Sequence, residues 1–336
     1  MTADPQLSVI VPAHNAAAHL RACLDAIAAS DLERSRWELI VVDDASTDST
    51  PEIAKQLADC VISTGTAARG PAHARNRGAL EAKCEVIAFV DADVAVHSDA
   101  LRLMLNSLAA DKSIVAVFGS YDDEPADHGI ISRYRNLLHH FAHNESAGKV
   151  GTFWAGCGAV KAEAFLAAGK FDDVRYARPQ IEDIDLGYKL SRLGGILLDP
   201  SVKGTHFKRW RFLPMLRTDL LDRGIPWVRL LLSTSPAAGA ANPSLGRRAV
   251  LGTAAACGAV AVALVAVVGG GRTAATVSVA LVVASILLSL NFYRFLATRG
   301  GAPLLLAGIP LHFIYQIVSG LAVPIGAILY FTHDRS

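Results

Sequence analysis

The chain of 336 residues carries 32 Lys and Arg against 31 Asp and Glu, for a formal net charge of +1, and 52% of it is hydrophobic with a mean hydropathy of +0.34. A balanced charge with no Lys/Arg run excludes a nucleic-acid-binding face, and the apolar excess excludes a wholly soluble chain of this length. Cys23, Cys60, Cys84, Cys157 and Cys257 are odd in number and scattered, with neither zinc-site spacing nor a disulfide framework, which suits a reducing compartment.

The opening Met-Thr-Ala-Asp-Pro lacks a basic start and an apolar core, so no signal peptide is expected. Leu7 to Val11 reads as a strand, Ala17 to Ala29 as an amphipathic helix, and Leu39 to Val42 as a second strand. A helix follows from about Pro51 to Leu57, capped by Ser49 or Thr50, with proline suited to its first turn. Val61 to Ser63, Ala72 to Ala82 and Val86 to Val90 read as strand, helix and strand. This alternation predicts an α/β fold with a mostly parallel central sheet covered by helices on both faces. Sheets of this type bind ligands at the carboxyl ends of their strands, where Pro12-Ala13-His14-Asn15, Asp43-Asp44 and Asp91-Ala92-Asp93 fall.

Asp91 and Asp93, read as the continuation of an extended segment, put both side chains on one face. Such hard oxygen ligands suit Mg²⁺ or Mn²⁺ bridging a diphosphate, although the triplet on its own is better explained by a solvated strand end. Asp43-Asp44 could accept hydrogen bonds from a base or ribose, while Ser46, Thr47 and Asp48 are explained by turning and capping. Arg75 matches the geometry of either a diphosphate or an acidic partner. Arg133 to His143 reads as a partly solvated helix facing lipid headgroups, its histidines too few and too open for a zinc site. Glu182, Asp183 and Asp185 fit an acidic helix N-terminus, which the macrodipole favours.

Further along, Phe212 to Leu232 alternates leucines with Arg217, Arg223 and Arg229. It predicts interfacial helices broken at Gly224-Ile225-Pro226. Ala249 to Val268, Ala274 to about Ala297, and Pro303 to Phe331 are each long enough to span a bilayer, the last as a helix kinked by Pro310 and Pro324. Within it, His312 and Gln316 share a face, with polar packing between spans as the default. Arg247, Arg248, Arg294 and Arg299 against Arg272 alone place residues 1–248 in the cytoplasm by the positive-inside rule. The division expected is a catalytic domain over 1–205, an interfacial segment over 206–248 and a three-helix transmembrane domain over 249–336, in the inner (plasma) membrane.

Several segments taken in order resemble glycosyltransferase family 2: Leu-Ser-Val-Ile-Val-Pro-Ala-His-Asn, Val-Val-Asp-Asp-Ala-Ser-Thr-Asp, Ala-Arg-Asn-Arg-Gly and Phe-Val-Asp-Ala-Asp, continuing through Gly156-Cys157-Gly158-Ala159, Gly169-Lys170-Phe171-Asp172 and Ile181-Glu182-Asp183-Ile184-Asp185. The resemblance covers roughly residues 7 to 210. It implies a GT-A fold, a UDP- or GDP-sugar donor, a divalent metal at Asp91 and Asp93, and inversion at the anomeric carbon. By the same resemblance Pro12, Ala13, His14 and Asp43 line the nucleotide pocket, Arg75 lies beside it and Asp183 is the base. The family often has Tyr where His14 stands. His206-Phe207-Lys208-Arg209-Trp210 repeats the spacing of the Gln-x-x-Arg-Trp motif of processive members, with His for Gln. Together with Gly156 and Glu182, His206, Arg209 and Trp210 are the expected acceptor contacts; the alternative for the last three is a cationic, aromatic interface anchor. The implied protein is a membrane-anchored inverting glycosyltransferase acting on a polyprenyl phosphate, a lipid or a lipid-linked glycan. A processive polysaccharide synthase and a catalytically silent lipid-binding scaffold are the alternatives.

Overall fold

The computed structural model of the chain describes residues 5–234 and 246–334. Residues 235–245 of the expected interfacial segment, and the first four residues of the opening stretch, lie outside the described part. Strand β1 (Leu7–Ala13), helix α1 (Leu20–Ala28), β2 (Trp37–Asp43), α2 (Thr50–Leu57), β3 (Cys60–Ser63), α3 (Pro71–Glu81) and β4 (Val86–Val90) follow the expected alternation. The four strands lie in the order β3-β2-β1-β4, all parallel. Next come β5 (Val94–Val96), α4 (Ala100–Ala110), β6 (Ile114–Tyr121), α5 (Ile130–Glu145), β7 (Gly148–Val150), β8 (Cys157–Lys161), α6 (Ala162–Ala167), α7 (Glu182–Leu190) and β9 (Gly195–His206).

Beyond β4 the sheet is mixed, which corrects the expectation of a mostly parallel one. β8 enters antiparallel between β4 and β6, β9 runs parallel to β6, and β5 and β7 lie antiparallel to β9. After β4 the helices no longer join neighbouring parallel strands, since antiparallel neighbours need no helical crossover.

Strand periodicity decides the two cores. Leu7, Val9 and Val11 of β1, Leu39 and Val41 of β2, and Ala88 and Val90 of β4 join Leu20, Leu24 and Ile27 of α1 and Leu101 and Met104 of α4 in one cluster. The alternate residues Ile10, Ile40, Val42, Ile87 and Phe89 join Ala72 and Ala74 of α3, Phe165 of α6 and Leu186 of α7 in the other. Both faces of the sheet are therefore covered, and only its strand ends are left to meet a ligand.

The chain forms two compact units, one of Met1–Asp127 with Ala142–Lys208 and one of His128–Phe141 with Arg209–Ser336. The first ends three residues past the expected boundary at 205, and the second takes in His128–Phe141, which the sequence reading put in the catalytic domain. In the second unit, α8 (Phe212–Arg217) runs through a π-helical turn (Thr218–Gly224) into α9 (Ile225–Ser233). The expected break at Gly224-Ile225-Pro226 does not occur. Gly224 and Ile225 keep helical dihedrals, because proline in a first turn forfeits only an N–H that the widened π turn already leaves over.

Helices α10 (Arg247–Val265), α11 (Gly271–Leu288) and α12 (Leu290–Leu329) complete the chain. Three stretches, Arg247–Gly269, Gly271–Leu288 and Leu290–His333, are long and apolar enough to cross a membrane. The helix is interrupted at Ser289, inside the second expected span, and helical geometry is lost again at Gly301, whose φ of +66° suits glycine alone. The third helix continues unbroken through Pro310 and Pro324. Gln316 is buried; its Oε1 accepts from Ser285 Oγ at 2.6 Å and its Nε2 donates to Ser289 Oγ at 3.1 Å. This is the polar packing between spans that the sequence suggested.

The first part of α5 is not a solvated face. Tyr134 and Leu137 are fully buried with Trp210, Met215, Phe292, Tyr293 and Leu296. Arg135 forms a buried ion pair with Asp219 at 2.7 Å, and its guanidinium lies 5.7 Å from the Trp210 ring. Trp210 is 8% exposed. That corrects both readings of it: the ring is part of an apolar core and offers its face neither to an acceptor sugar nor to a membrane interface. Arg209, its neighbour in the motif, is exposed.

Candidate active site

The carboxyl ends of β1, β2 and β4 lie side by side because the strands are in register, Ala13 beside Asp43 and Ile10 beside Phe89. Two non-glycine residues just past these ends, Asn15 and Ala45, hold positive φ of +48° and +58°, a strained conformation that concentrates at functional sites. Of the expected nucleotide-side residues, Ala13 is buried, Pro12 half-buried and His14 exposed. The His14 ring is oriented by Nδ1–H donating to the Asp44 carbonyl at 2.7 Å, with Asn15 Nδ2 at 3.2 Å from Nε2.

The tandem Asp43-Asp44 splits into two roles that spacing could not separate. Asp44 is 2% exposed and accepts from Thr64 Oγ1 at 2.7 Å, Gly70 N–H at 2.7 Å and Arg69 N–H at 3.0 Å. It is the anchor of the loop that opens α3. Among the described residues Asp43 accepts a single, long side-chain bond, 3.2 Å from the Ser46 N–H, which leaves acceptor capacity for a ligand. Gly70 begins α3 with φ +92°, and a Cβ there would lie 2.6 Å from the Ala177 carbonyl oxygen. Glycine is what lets the 172–181 loop pack on the helix start.

Asp91-Ala92-Asp93 is a turn and not an extended segment, so the period-two argument for its shared face fails. The Val94 N–H donates to the Asp91 carbonyl at 3.0 Å, because the chain reverses here to lay β5 against β9. That reversal brings Val94 opposite His206, and His206 Nε2 comes to 3.5 Å from Asp93 Oδ2. Burial would raise the Asp93 carboxyl, yet His206, with Lys208 behind it, holds it below the ordinary carboxylate value. The structure thus sets the buried His206 against Asp93, one of the two expected metal ligands. Its ring stacks on Tyr121, centroids 4.3 Å apart and planes 12° from parallel.

Arg75 is buried, with its Nη2 2.6 Å from Asp91 Oδ1 and its Nη1 2.9 Å from Glu182 Oε1. Of the two partners its sequence allowed, the acidic one is realised: the guanidinium bridges the end of β4 to the start of α7 and does not present itself to a diphosphate. Glu182 is likewise buried, accepting from Arg75 and from the Gln180 N–H at 2.9 Å, so it is no acceptor contact. Asp183, the next residue, is half-buried. Its Oδ1 accepts from the Ile184 N–H at 2.8 Å and its Oδ2 lies 3.4 Å from the Ala155 N. Burial and the neighbouring Glu182 charge raise its pKa to about 7, with Arg75 opposing. A carboxylate poised there can exchange a proton at neutral pH. Gly156 is buried; its carbonyl accepts from the Asp91 N–H at 3.1 Å, so it acts through backbone, tying β8 to the Asp91 turn.

Among the described residues no group of three His, Cys, Asp and Glu is arranged to hold a metal. Two half-exposed carboxylates, Asp91 at 31% and Asp93 at 33%, fit a hard cation whose remaining ligands are substrate phosphates and water, the usual arrangement for Mg²⁺.

Residues 8–167 match the model of the family described as Glycosyl transferase family 2. Glycosyltransferase AglE of Haloferax volcanii is 31% identical over 109 residues, 31% of this chain and 36% of its own length. The probable glycosyltransferase YdaM of Bacillus subtilis is 29% identical over 140 residues, 40% of this chain and 33% of its own. The chain therefore spans about a third of the length of the curated relatives it matches. Among solved structures, the mannosyltransferase PcManGT from Pyrobaculum calidifontis, in complex with GDP-Man and Mn²⁺, aligns over 100% of this chain and 89% of its own with a TM-score of 0.61 and 23% identity. At that identity the likeness establishes the GT-A-like fold.

Proposed function

Because the chain carries a glycosyl transferase family 2 domain followed by three apolar helices, we infer that it transfers a sugar, with inversion, from a nucleotide-diphosphate donor to a membrane-associated acceptor. The single observation that carries this reading is the bridge Asp91–Arg75–Glu182 with Asp183 beside it. One buried cation joins Asp91 at the end of β4 to Glu182 at the start of α7, the residue before Asp183, whose pKa is about 7.

Direct displacement requires the acceptor oxygen and the departing diphosphate on opposite faces of the anomeric carbon. Asp183 takes the proton of the acceptor oxygen, a hydroxyl or the P–OH of a phosphate, as the new C–O bond forms and the bond to the diphosphate breaks. Asp91 and Asp93 would hold Mg²⁺ or Mn²⁺, which when bound neutralises charge on the leaving diphosphate. Asp43, Pro12, Ala13 and His14 line the nucleotide side, and Asp44 keeps the loop around that side in place. The donor is a UDP- or GDP-sugar, as supported by the fold shared with PcManGT, whose structure holds GDP-Man.

The acceptor is a polyprenyl phosphate, a lipid or a lipid-linked glycan. Support comes from tethering: a catalytic domain on the same chain as membrane spans meets lipid-borne acceptors at raised effective concentration. The residues before the first span, 1–248, lie on the cytoplasmic face, in line with the arginines flanking the spans. The test is full-length protein in detergent with a panel of UDP- and GDP-sugars, Mn²⁺ or Mg²⁺, and lipid extract. Release of nucleoside diphosphate coupled to a lipid-soluble sugar product is expected. Failure of every donor to bind or turn over would overturn the assignment.

A further inference from the structure

We infer that His73 and Asn76 of α3 are positioning residues for Asp183: together they fasten residues 171–181 along the helix and so set where the first turn of α7 presents its carboxylate. The inference rests on Asp183 as the base in the reading above, and both residues act through the chain that leads into α7.

Residues 171–181 form turns and bends between α6 and α7, so their backbone must find its partners outside a ladder or helix of its own. Helix α3 supplies them. Gly70, His73 and Asn76 stand in steps of three along one side of that helix, and each meets the segment at a different point. The buried Asn76 donates from Nδ2 to the Phe171 carbonyl at 2.9 Å and accepts at Oδ1 from the Phe171 N–H at 3.1 Å. Its amide carries the donor and the acceptor that one residue's backbone needs. The buried His73 donates from Nδ1 to Asp173 Oδ2 at 2.7 Å. Burial would raise the Asp173 carboxyl, yet the His73 bond holds it below the ordinary carboxylate value. Gly70 makes room for the Ala177 carbonyl. The segment therefore runs antiparallel to α3, with 171 beside 76, 173 beside 73 and 177 beside 70.

Its two ends are fixed differently. At the start, the Phe171 ring is buried against Phe89 and Phe165, with centroids 5.2 and 5.5 Å away. At the far end the Gln180 N–H and Arg75 both bond the Glu182 carboxylate, and Asp183 is the next residue. Leu186 and Leu190 seat the body of α7 in the core, but Asp183 lies in the first turn, where a helix has few bonds of its own. The placement of Asp183 thus depends on the segment leading into it, and α3 holds that segment along its length. A base must stand within hydrogen-bond reach of the oxygen it serves, and an error of about 1 Å costs on the order of 10²-fold in rate.

The test compares full-length wild type, His73→Ala, His73→Asn, Asn76→Ala and Asp183→Asn in detergent. The probes are UDP and GDP conjugates of glucose, N-acetylglucosamine and mannose, with Mn²⁺ and lipid extract. His73→Ala and Asn76→Ala should each lower kcat by about 10- to 100-fold, with donor KM and affinity for bare UDP or GDP within about twofold of wild type. His73→Asn, whose amide N–H can stand where the Nδ1–H stood, should recover most of the loss. Hydrogen exchange read by mass spectrometry should quicken in residues 171–184 of the alanine variants and stay at the wild-type rate in β1 and β2. An unchanged kcat in both alanine variants, or a fall in kcat matched by an equal loss of diphosphate affinity or by faster exchange in β1 and β2, would overturn the positioning role alone. Near-wild-type turnover by Asp183→Asn would overturn the base assignment and this inference with it. A wild type that turns over none of the donors would overturn the sugar-transfer reading as well.

Discussion

Removing the Arg75 guanidinium without removing its bulk, as Arg75→Met, separates its electrostatic role from packing. The side chain is 6% exposed and bonded to Asp91 at 2.6 Å and Glu182 at 2.9 Å, and Asp183 also feels its charge. Breaking a buried pair by deleting one partner costs about 3–5 kcal/mol, because the other charge is left uncompensated. Asp91 is one-third exposed and recovers some hydration, so the lower half of that range applies. For a unit of this size each kcal/mol moves the thermal midpoint by roughly 2–4 °C, which predicts a fall of about 6–16 °C at pH 7.5.

The sign with pH follows from the charges. Arg75 lowers the Asp183 pKa, so without it Asp183 titrates above 7. Protonation then relieves repulsion among Asp91, Glu182 and Asp183, and the deficit of the variant should shrink between pH 8 and pH 6. Differential scanning fluorimetry on tryptophan emission across that range measures both effects. A midpoint within about 2 °C of wild type at pH 7.5, or a deficit that grows on acidification, would refute the bridge.

Asp183→Asn should cut transfer by about 10²–10⁴-fold while leaving diphosphate affinity intact; near-wild-type turnover would rule it out as the base. In the wild type kcat should fall as pH drops below about 7, since the raised pKa makes the protonated, inactive form dominant there; a flat profile from pH 8 to pH 6 would count against it. The two adjacent aspartates should part company: Asp44→Ala strands three donors and should destabilise by about 3 kcal/mol or more, whereas Asp43→Ala should weaken nucleotide binding with little change in midpoint. Gln316→Leu removes two side-chain bonds between helices, each worth roughly 0.6 kcal/mol in a membrane, so the midpoint should move by only a few degrees; collapse of the protein would mean Gln316 has a larger role.

The strand ends that carry Asp43 and Asp91 were legible in the chain because the features that make them are local. Short apolar runs alternating with helical patterns from Leu7 to Val90 predict parallel strands buried on both faces, and sheets of this type bind ligands at the carboxyl ends of their strands. The partners of these carboxylates were not, because they depend on contacts between residues far apart in sequence. Spacing could not say whether Arg75 met phosphate or carboxylate; the 107-residue separation from Glu182 had first to be closed by the sheet. Likewise Asp91 and Asp93 converge on their partners through a turn that forms only because β5 finds β9.

Composition and hydropathy by themselves determined that the chain has an α/β part and three apolar helices, since burial periodicity and span length are properties of consecutive residues. Only tertiary structure decided that Asp44 is scaffold and Asp43 is available, that Trp210 lies in a core, and that His206 meets Asp93. The physical reason is common to all of these. A side chain's chemistry is written in its residue type, but its role depends on how much water it keeps and which charge it meets, and both are settled only when the sheet and helices pack.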